Sequence, residues 1–219
     1  MNKVDLRLYA IVDTDNLGAE NLTAFAGDAA RNGATVVQYR DKHSGTRLLV
    51  ERARAIHEVL TGTGVPLLIN DRIDVALAVG AEGVHIGRED MIPDEARRLL
   101  GPDAIIGLTV KNEADAKATI DAPIDYACIG GVFQTLSKDN PDAPVGLDGF
   151  RRLAGFIRGA KPDLPIGAIA GMTLETAPEM IRAGADGVAA IGALFKSGNV
   201  PEAVRAMRAA IDRALEDRA

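Results

Sequence analysis

The chain alternates short apolar runs with amphipathic helical patterns along its 219 residues. About eight such pairs occur at a spacing of roughly 25 residues, the period expected when every strand of a closed parallel barrel is followed by a helix. A doubly wound open sheet is the rival fold. Eight units exceed its usual strand count, and no G-x-G-x-x-G follows the first apolar run. We therefore predict an α/β fold, a (β/α)8 TIM barrel, with residues 1–219 as a single domain.

Apolar runs predict strands where they are short, and helices where apolar residues recur at helical spacing. The predicted strands are 8–12, 34–39, 66–69, 83–86, 104–108, 126–129, 165–169 and 187–191. The predicted helices are 22–31, 46–60, 73–79, 93–100, 113–120, 147–158, 174–183 and 201–215.

Two segments, GAEGV at 80–84 and GADGV at 184–188, are near copies of each other. In each, the first glycine fits the left-handed stop of a helix, and an acidic residue and a second glycine lead into a strand. We expect these copies to be scaffold, at the end of the barrel opposite the chemistry.

Composition excludes several classes of function. A net charge of −6 and an aromatic content of 4% argue against nucleic acid as a partner. No apolar run is long enough to span a membrane, and the amino terminus lacks the pattern of a secretory signal, so we expect a cytoplasmic protein.

Cys128 is the only cysteine and is expected to be a small buried residue. His85 has no partner at zinc-ligand spacing and is expected to be a core or mouth histidine.

Acidic and amide side chains follow two neighbouring predicted strands. Asn70 and Asp71 come after the third strand, and Asp90 comes after the fourth. Because ligands of parallel barrels bind at the carboxyl ends of the strands, these side chains should face one another. Carboxylate and amide oxygens suit magnesium better than zinc. The alternative is that Asp71 only caps the following helix.

A cationic segment follows the second predicted strand. Strand alternation points Gln38, Arg40 and Lys42 to one side and Tyr39 and Asp41 to the other. Two cations and an amide on one face suit a phosphate or diphosphate. The alternative is a solvated surface pair.

Polar or small residues also end the later strands. Thr109 and Lys111 end the fifth, and the long segment 130–145 carries Thr135, Ser137 and Lys138 and is expected to be a lid. Small residues at 170–171 and 192–193 suit a phosphate at a helix amino terminus, or else are needed for close packing.

In combination, the motifs at 38–42, 70–72, 83–87 with Asp90, 135–138 and 184–188 resemble the thiamine phosphate synthase family over nearly the whole chain. The resemblance implies a transferase of thiamine biosynthesis, in which a TIM barrel joins 4-amino-2-methyl-5-(diphosphooxymethyl)pyrimidine to thiazole phosphate and releases pyrophosphate. It implies Mg²⁺ on Asp71 and Asp90, and Arg40, Lys42 and Lys138 as catalytic residues. The residues that it implies for the substrates are Gln38, Tyr39, Arg40, Asp41, Lys42, Asn70, Thr109 and Lys138 around the pyrimidine diphosphate, and Thr135, Leu136, Ser137, Gly171, Ile191 and Gly192 around the thiazole phosphate.

Some positions depart from the commoner family pattern. Lys111 stands where His is frequent, Gln134 where Pro is, Ser137 where Thr is, Ala170 where Gly is, and Gly192 where Ser is. Gly192 removes a hydroxyl donor to the thiazole phosphate but keeps its N–H.

Three other functions remain open from the sequence. They are a Schiff-base aldolase with Lys138 or Lys111 as the amine, a catalytically silent phosphate-binding barrel, and a tautomerase-like barrel that binds thiazole phosphate. The sequence leaves assembly into a homo-oligomer open.

Overall fold

A computed structural model describes residues 4–134 and 143–218. Its eight strands pair in sequence order, each parallel to the next, and the last closes on the first. The predicted barrel is confirmed. The strands are β1 Leu8–Asp13, β2 Val36–Arg40, β3 Leu67–Asn70, β4 Gly83–Ile86, β5 Ile105–Val110, β6 Tyr126–Ile129, β7 Ile166–Ile169 and β8 Gly187–Ala190.

Helices surround the barrel, and none within the described ranges is long and apolar enough to cross a membrane. The helices are α1 Thr14–Leu17, α2 Leu22–Asn32, α3 Thr46–Leu60, α4 Ile73–Val79, α5 Pro93–Leu100, α6 Glu113–Ala118, α7 Gly146–Ala160, α8 Thr176–Arg182, α9 Gly192–Phe195 and α10 Val200–Glu216.

The predicted helix set was incomplete and some bounds were wrong. Helices α1 and α9 were missed because four residues are too few to show a helical period. Helix α6 ends two residues early, where the Thr119 hydroxyl donates to the Ala116 carbonyl at 2.7 Å and so competes with the helical bonding. Helix α8 starts late because the Thr173 amide donates to the Thr176 hydroxyl at 2.8 Å.

The apolar residues form two layers, as the strand alternation requires. The larger lies between the strands and the helices, and the smaller fills the barrel with residues that include Tyr9, Leu68 and Tyr126. Gly107 makes room for one of these rings, since a Cβ there would lie 1.9 Å from Tyr126 Cζ. The barrel interior is therefore packed below its mouth.

Side chains just before the even-numbered strands hold the start of the preceding odd-numbered strand. Each accepts a hydrogen bond from a backbone amide there, and three of the four are carboxylates. The pairs are Thr35 Oγ1 with Leu8 (3.1 Å), Glu82 Oε2 with Leu67 (2.7 Å), Asp125 Oδ2 with Ile106 (2.8 Å) and Asp186 Oδ2 with Ile166 (2.8 Å).

This arrangement explains the two copied segments. Their acids are Glu82 and Asp186, and their second glycines lie against backbone of a neighbouring segment. A Cβ on Gly187 would lie 1.7 Å from the Leu6 carbonyl oxygen. The copies are scaffold at the amino-terminal end of the barrel, as predicted.

Candidate active site

A cavity of about 290 Å³ opens at the carboxyl ends of the strands. Seven of the predicted site residues line it: Gln38, Arg40, Asn70, Thr109, Gly171, Ile191 and Gly192. The cavity is also lined by Tyr9, Asp13, His85, Lys111 and Cys128. The structure thus brings together residues of β2, β3 and β5 with residues that directly follow β7 and β8.

The Arg40 guanidinium is fixed at the mouth by two carboxylates. Its Nη1 lies 2.5 Å from Asp13 Oδ2 and 3.1 Å from Asp15 Oδ2. Asp13 is fully buried, and Arg40 keeps 12% of its side chain exposed. The cation therefore has a set position from which it can meet an anionic ligand. Asp13 was not predicted as a site residue, although an acid directly after a predicted strand is the signal that singled out Asp71.

The predicted metal ligands lie together at the rim, where they line a shallow depression beside the cavity. Asp71 pairs with the Lys42 ammonium, and Asp90 Oδ2 accepts from the Gly87 amide at 2.8 Å. Burial and a hydrogen bond with the neighbouring Asp71 raise the pKa of Asp90 to about 6. Two carboxylates this close repel each other, and Lys42 offsets part of that repulsion.

Asp71 does not cap the helix that follows it. The amino-terminal cap of α4 is Arg72, which makes no side-chain capping bond, and Asp71 has a φ of 61°. The capping alternative is therefore wrong. The left-handed backbone turns the Asp71 carboxylate toward Lys42 and Asp90 instead.

The paired carboxylates fit a magnesium ion. No group of three or more His, Cys, Asp or Glu side chains among the described residues is arranged to hold a metal. Magnesium needs fewer protein ligands than that, because it is commonly bound by one or two carboxylates and completes its shell with water and substrate phosphates. Asp71 and Asp90 supply such a pair.

Tyr39 and Asp41 point away from the cavity, into the layer between the strands and the helices. The Tyr39 hydroxyl donates to Asp41 Oδ2 at 2.9 Å, and Arg52 Nη1 donates to the same atom at 2.8 Å. The amides of His43 and Ser44 donate to the other oxygen. The expectation that these two side chains contact substrate is not met, because strand alternation places them on the opposite side from Gln38 and Arg40. They hold the loop that carries Lys42.

The ends of β7 and β8 form the remaining wall. Ala170 and Gly171 have positive φ values of 87° and 70°, and a Cβ on Gly171 would lie 2.5 Å from Phe133 Cβ. Gly171 is thus needed for both backbone conformation and close packing. Ile191 is the amino-terminal cap of α9, which begins at Gly192. Thr135, Leu136, Ser137 and Lys138 lie outside the described residues, as does half of the predicted lid.

A chain of buried polar side chains crosses the floor of the cavity. Hydrogen bonds join Gln38 Nε2 to Tyr9 Oη (2.5 Å), Tyr9 Oη to Tyr126 Oη (2.9 Å), Tyr126 Oη to His85 Nδ1 (2.8 Å) and His85 Nε2 to Thr109 Oγ1 (2.8 Å). His85 is an internal histidine, as predicted. The two tyrosines were missed, although a tyrosine in an apolar strand is a signal for a buried hydroxyl that needs a partner.

Cys128 lies beside this floor and is 1% exposed. Burial raises the pKa of its thiol to about 12. A protonated thiol is a poor nucleophile. The predicted role as a small buried residue is confirmed.

The sequence profile described as thiamine monophosphate synthase matches residues 8–194. The thiamine-phosphate synthase of Agrobacterium fabrum is 57% identical over 218 residues, which cover 100% of this chain and 99% of that protein. The chain belongs to the thiamine monophosphate synthase family. A further relative, the thiamine-phosphate synthase of Chloroflexus aurantiacus, is 39% identical and covers 95% of this chain and 94% of its own.

Solved structures agree with the family assignment. The thiamine phosphate pyrophosphorylase from Pyrococcus furiosus superposes with a TM-score of 0.84 at 30% identity, over 97% of this chain and 98% of that one. KGPDC from Streptococcus mutans has a TM-score of 0.67 at 16% identity, over 95% and 98% of the two chains. At that identity the second likeness shows the shared barrel alone.

Proposed function

We propose that this chain is a thiamine-phosphate synthase that joins 4-amino-2-methyl-5-(diphosphooxymethyl)pyrimidine to thiazole phosphate and releases pyrophosphate. The observation that carries the proposal is that, in a member of this family, a polar-floored cavity and a rim with two carboxylates and a lysine lie at the same mouth of the barrel. The cavity suits one small heterocycle, and the rim suits the charged group attached to it.

Charge neutralisation is the main task of the site, because the bond that breaks leaves a diphosphate anion. Asp71 and Asp90 would hold Mg²⁺, which when bound stabilises the negative charge of the diphosphate. Further positive charge would come from two cations of the described ranges, Arg40 at the mouth and Lys42 at the rim. Lys138, in the undescribed segment, is proposed to do the same.

Lys42 has two partners in this mechanism. In the structure it neutralises Asp71, and a divalent cation on the carboxylates would take over that role. With Asp71 occupied in this way, the Lys42 ammonium would be available to donate to a diphosphate oxygen. No carboxylate at the rim would then be left without a positively charged partner.

No protein nucleophile is needed for the transfer. Electron donation from the aminopyrimidine ring favours early cleavage of the C–O bond, and the thiazole nitrogen captures the carbocation-like group. We propose that the walls formed by Gly171, Ile191 and Gly192 hold the thiazole phosphate through backbone amides. Thr135, Leu136 and Ser137 are proposed to complete that site. The cytoplasmic location remains a prediction from the sequence.

The test is to mix the two heterocyclic phosphates with the purified chain and measure pyrophosphate and thiamine phosphate. Equal amounts of both products, formed only when both substrates and Mg²⁺ are present, are expected. Omission of the thiazole phosphate and addition of a chelator are the controls. Absence of both products with folded protein would refute the proposed function.

A further inference from the structure

The five hydrogen-bonded side chains on the cavity floor have a definite donor direction. The Gln38 Nε2 amide nitrogen can donate but cannot accept, so the Tyr9 oxygen accepts its hydrogen bond. Each buried hydroxyl proton needs an acceptor, so we assign the Tyr9 proton to Tyr126 and the Tyr126 proton to His85 Nδ1. A neutral imidazole that accepts at Nδ1 carries its proton on Nε2, from which it donates to Thr109.

Burial keeps the Tyr9 and Tyr126 hydroxyls protonated. Tyr9 and Tyr126 are 1% and 0% exposed, and burial raises the pKa of both hydroxyls far above neutral pH. The rings of His85 and Tyr126 stack with their centroids 5.5 Å apart, and Tyr9 meets Tyr126 edge-on at 5.9 Å. Packing thus holds the hydroxyls in place, and the absent side chain of Gly107 leaves the space that the Tyr126 ring occupies.

The direction of these hydrogen bonds determines what Gln38 and Thr109, at the two ends of the series, can offer a ligand. With Nε2 engaged by Tyr9, Gln38 has its Oε1 as an acceptor. With its oxygen accepting from His85, Thr109 has its hydroxyl proton as a donor. Gln38 and Thr109 both line the cavity, and they come from β2 and β5. A ligand between them would meet an acceptor on one side and a donor on the other.

We infer that Tyr9, Tyr126 and His85 are positioning residues that make the cavity select a 4-aminopyrimidine over a 4-oxopyrimidine. The exocyclic amine is a donor and suits Gln38 Oε1, while the ring nitrogen para to it is an acceptor and suits the Thr109 hydroxyl. A 4-oxo group is an acceptor, so it would face Gln38 Oε1 with no hydrogen between the two oxygens, and they would repel each other. This inference rests on the proposed function, because it takes the aminopyrimidine as the ligand.

Tyr9→Phe tests the selection, because it removes the hydroxyl that holds the Gln38 amide. The measurements are the KM of the 4-amino diphosphate and the inhibition constant of its 4-oxo analogue. The inhibition constant of the 4-oxo analogue divided by the KM of the 4-amino substrate should fall at least about tenfold relative to wild type, because a freed amide can rotate to present Nε2. The KM for thiazole phosphate should stay unchanged.

Thr119→Val is the matched control, because it also removes a fully buried hydroxyl that donates a hydrogen bond, at 2.7 Å, but directly after the outer helix α6. Its ratio should equal that of wild type, which separates loss of selection from general loss of stability. An active Tyr9→Phe enzyme with the wild-type ratio would overturn the inference and leave the proposed function standing. A wild-type enzyme that releases no pyrophosphate would instead refute the proposed function.

A second measurement needs no turnover. Long-range ¹H–¹⁵N correlation spectra of the wild-type chain, with the His85 signals assigned by their loss in His85→Gln, report which ring nitrogen carries the proton. The proton is expected on Nε2, and Tyr126→Phe should mix the two tautomers. A proton found on Nδ1 in wild type would reverse the chain and overturn the inference.

Discussion

Replacing Asp41 by asparagine tests how the loop between β2 and α3 is stabilised. The Asp41 side chain is 1% exposed and accepts from the Tyr39 hydroxyl, the Arg52 guanidinium and two backbone amides. Burial opposes its ionisation, but the hydrogen bonds from Ser44, Tyr39 and His43 outweigh that effect. They lower the pKa of Asp41 from 3.8 to about 2.

This pKa difference sets both the size and the pH dependence of the effect. At about 1.4 kcal/mol for each pKa unit between the unfolded and folded states, the carboxylate contributes about 2 kcal/mol at neutral pH. Because the folded-state pKa is the lower one, the contribution is complete above the unfolded pKa and is lost as pH falls toward 2. Asp41→Asn should therefore lower the free energy of unfolding by about 2 kcal/mol at pH 7, and Tm by about 4–8 °C.

Urea unfolding of the wild type and Asp41→Asn at several values from pH 7 to pH 3 provides the assay. The stability difference should be constant from pH 7 to pH 5 and fall to about half by pH 3. Asp28→Asn, which breaks an exposed pair with Arg31, is the control and should change stability by less than about 0.5 kcal/mol. An Asp41→Asn difference that is as large at pH 3 as at pH 7 would show that the ionised carboxylate is not its cause.

Three further substitutions test the rim, the far end of the barrel and the undescribed segment. Asp71→Ala should abolish pyrophosphate release without unfolding the chain, and normal turnover by the purified variant would contradict the metal assignment. Gly187→Ala should destabilise by at least about 2 kcal/mol in urea unfolding, because its Cβ would lie 1.7 Å from the Leu6 carbonyl. Gly155→Ala, with open space at its Cβ, is the control and should be neutral or stabilising. Lys138→Ala should slow single-turnover pyrophosphate release, and an unchanged rate would remove Lys138 from that role.

The sequence predicts the barrel because its signal is local and repeated. Each apolar run needs only its own residues to favour a strand, and each turn signal at Gly80 or Gly184 depends on the backbone of that residue. The polar residues at the strand ends follow from the same logic, since parallel strands bring their carboxyl ends to one face. Asn70, Asp71, Asp90 and Arg40 were found in this way.

The interior of the site required the tertiary structure. A tyrosine in an apolar strand can face the helices or the barrel axis, and only the strand register shows that Tyr9 and Tyr126 point inward while Tyr39 points outward. The bonds that join Gln38 to Thr109 pass through three other strand residues far apart in sequence, so no local pattern encodes them.

By itself, therefore, the sequence determined the order of strands and helices, the face that carries the chemistry and the charged residues at its rim. Tertiary structure alone decided which polar groups meet below that rim. The physical reason is that strand and helix preferences depend on neighbours along the chain, whereas a hydrogen bond across a barrel depends on how strands from distant parts of the chain are aligned.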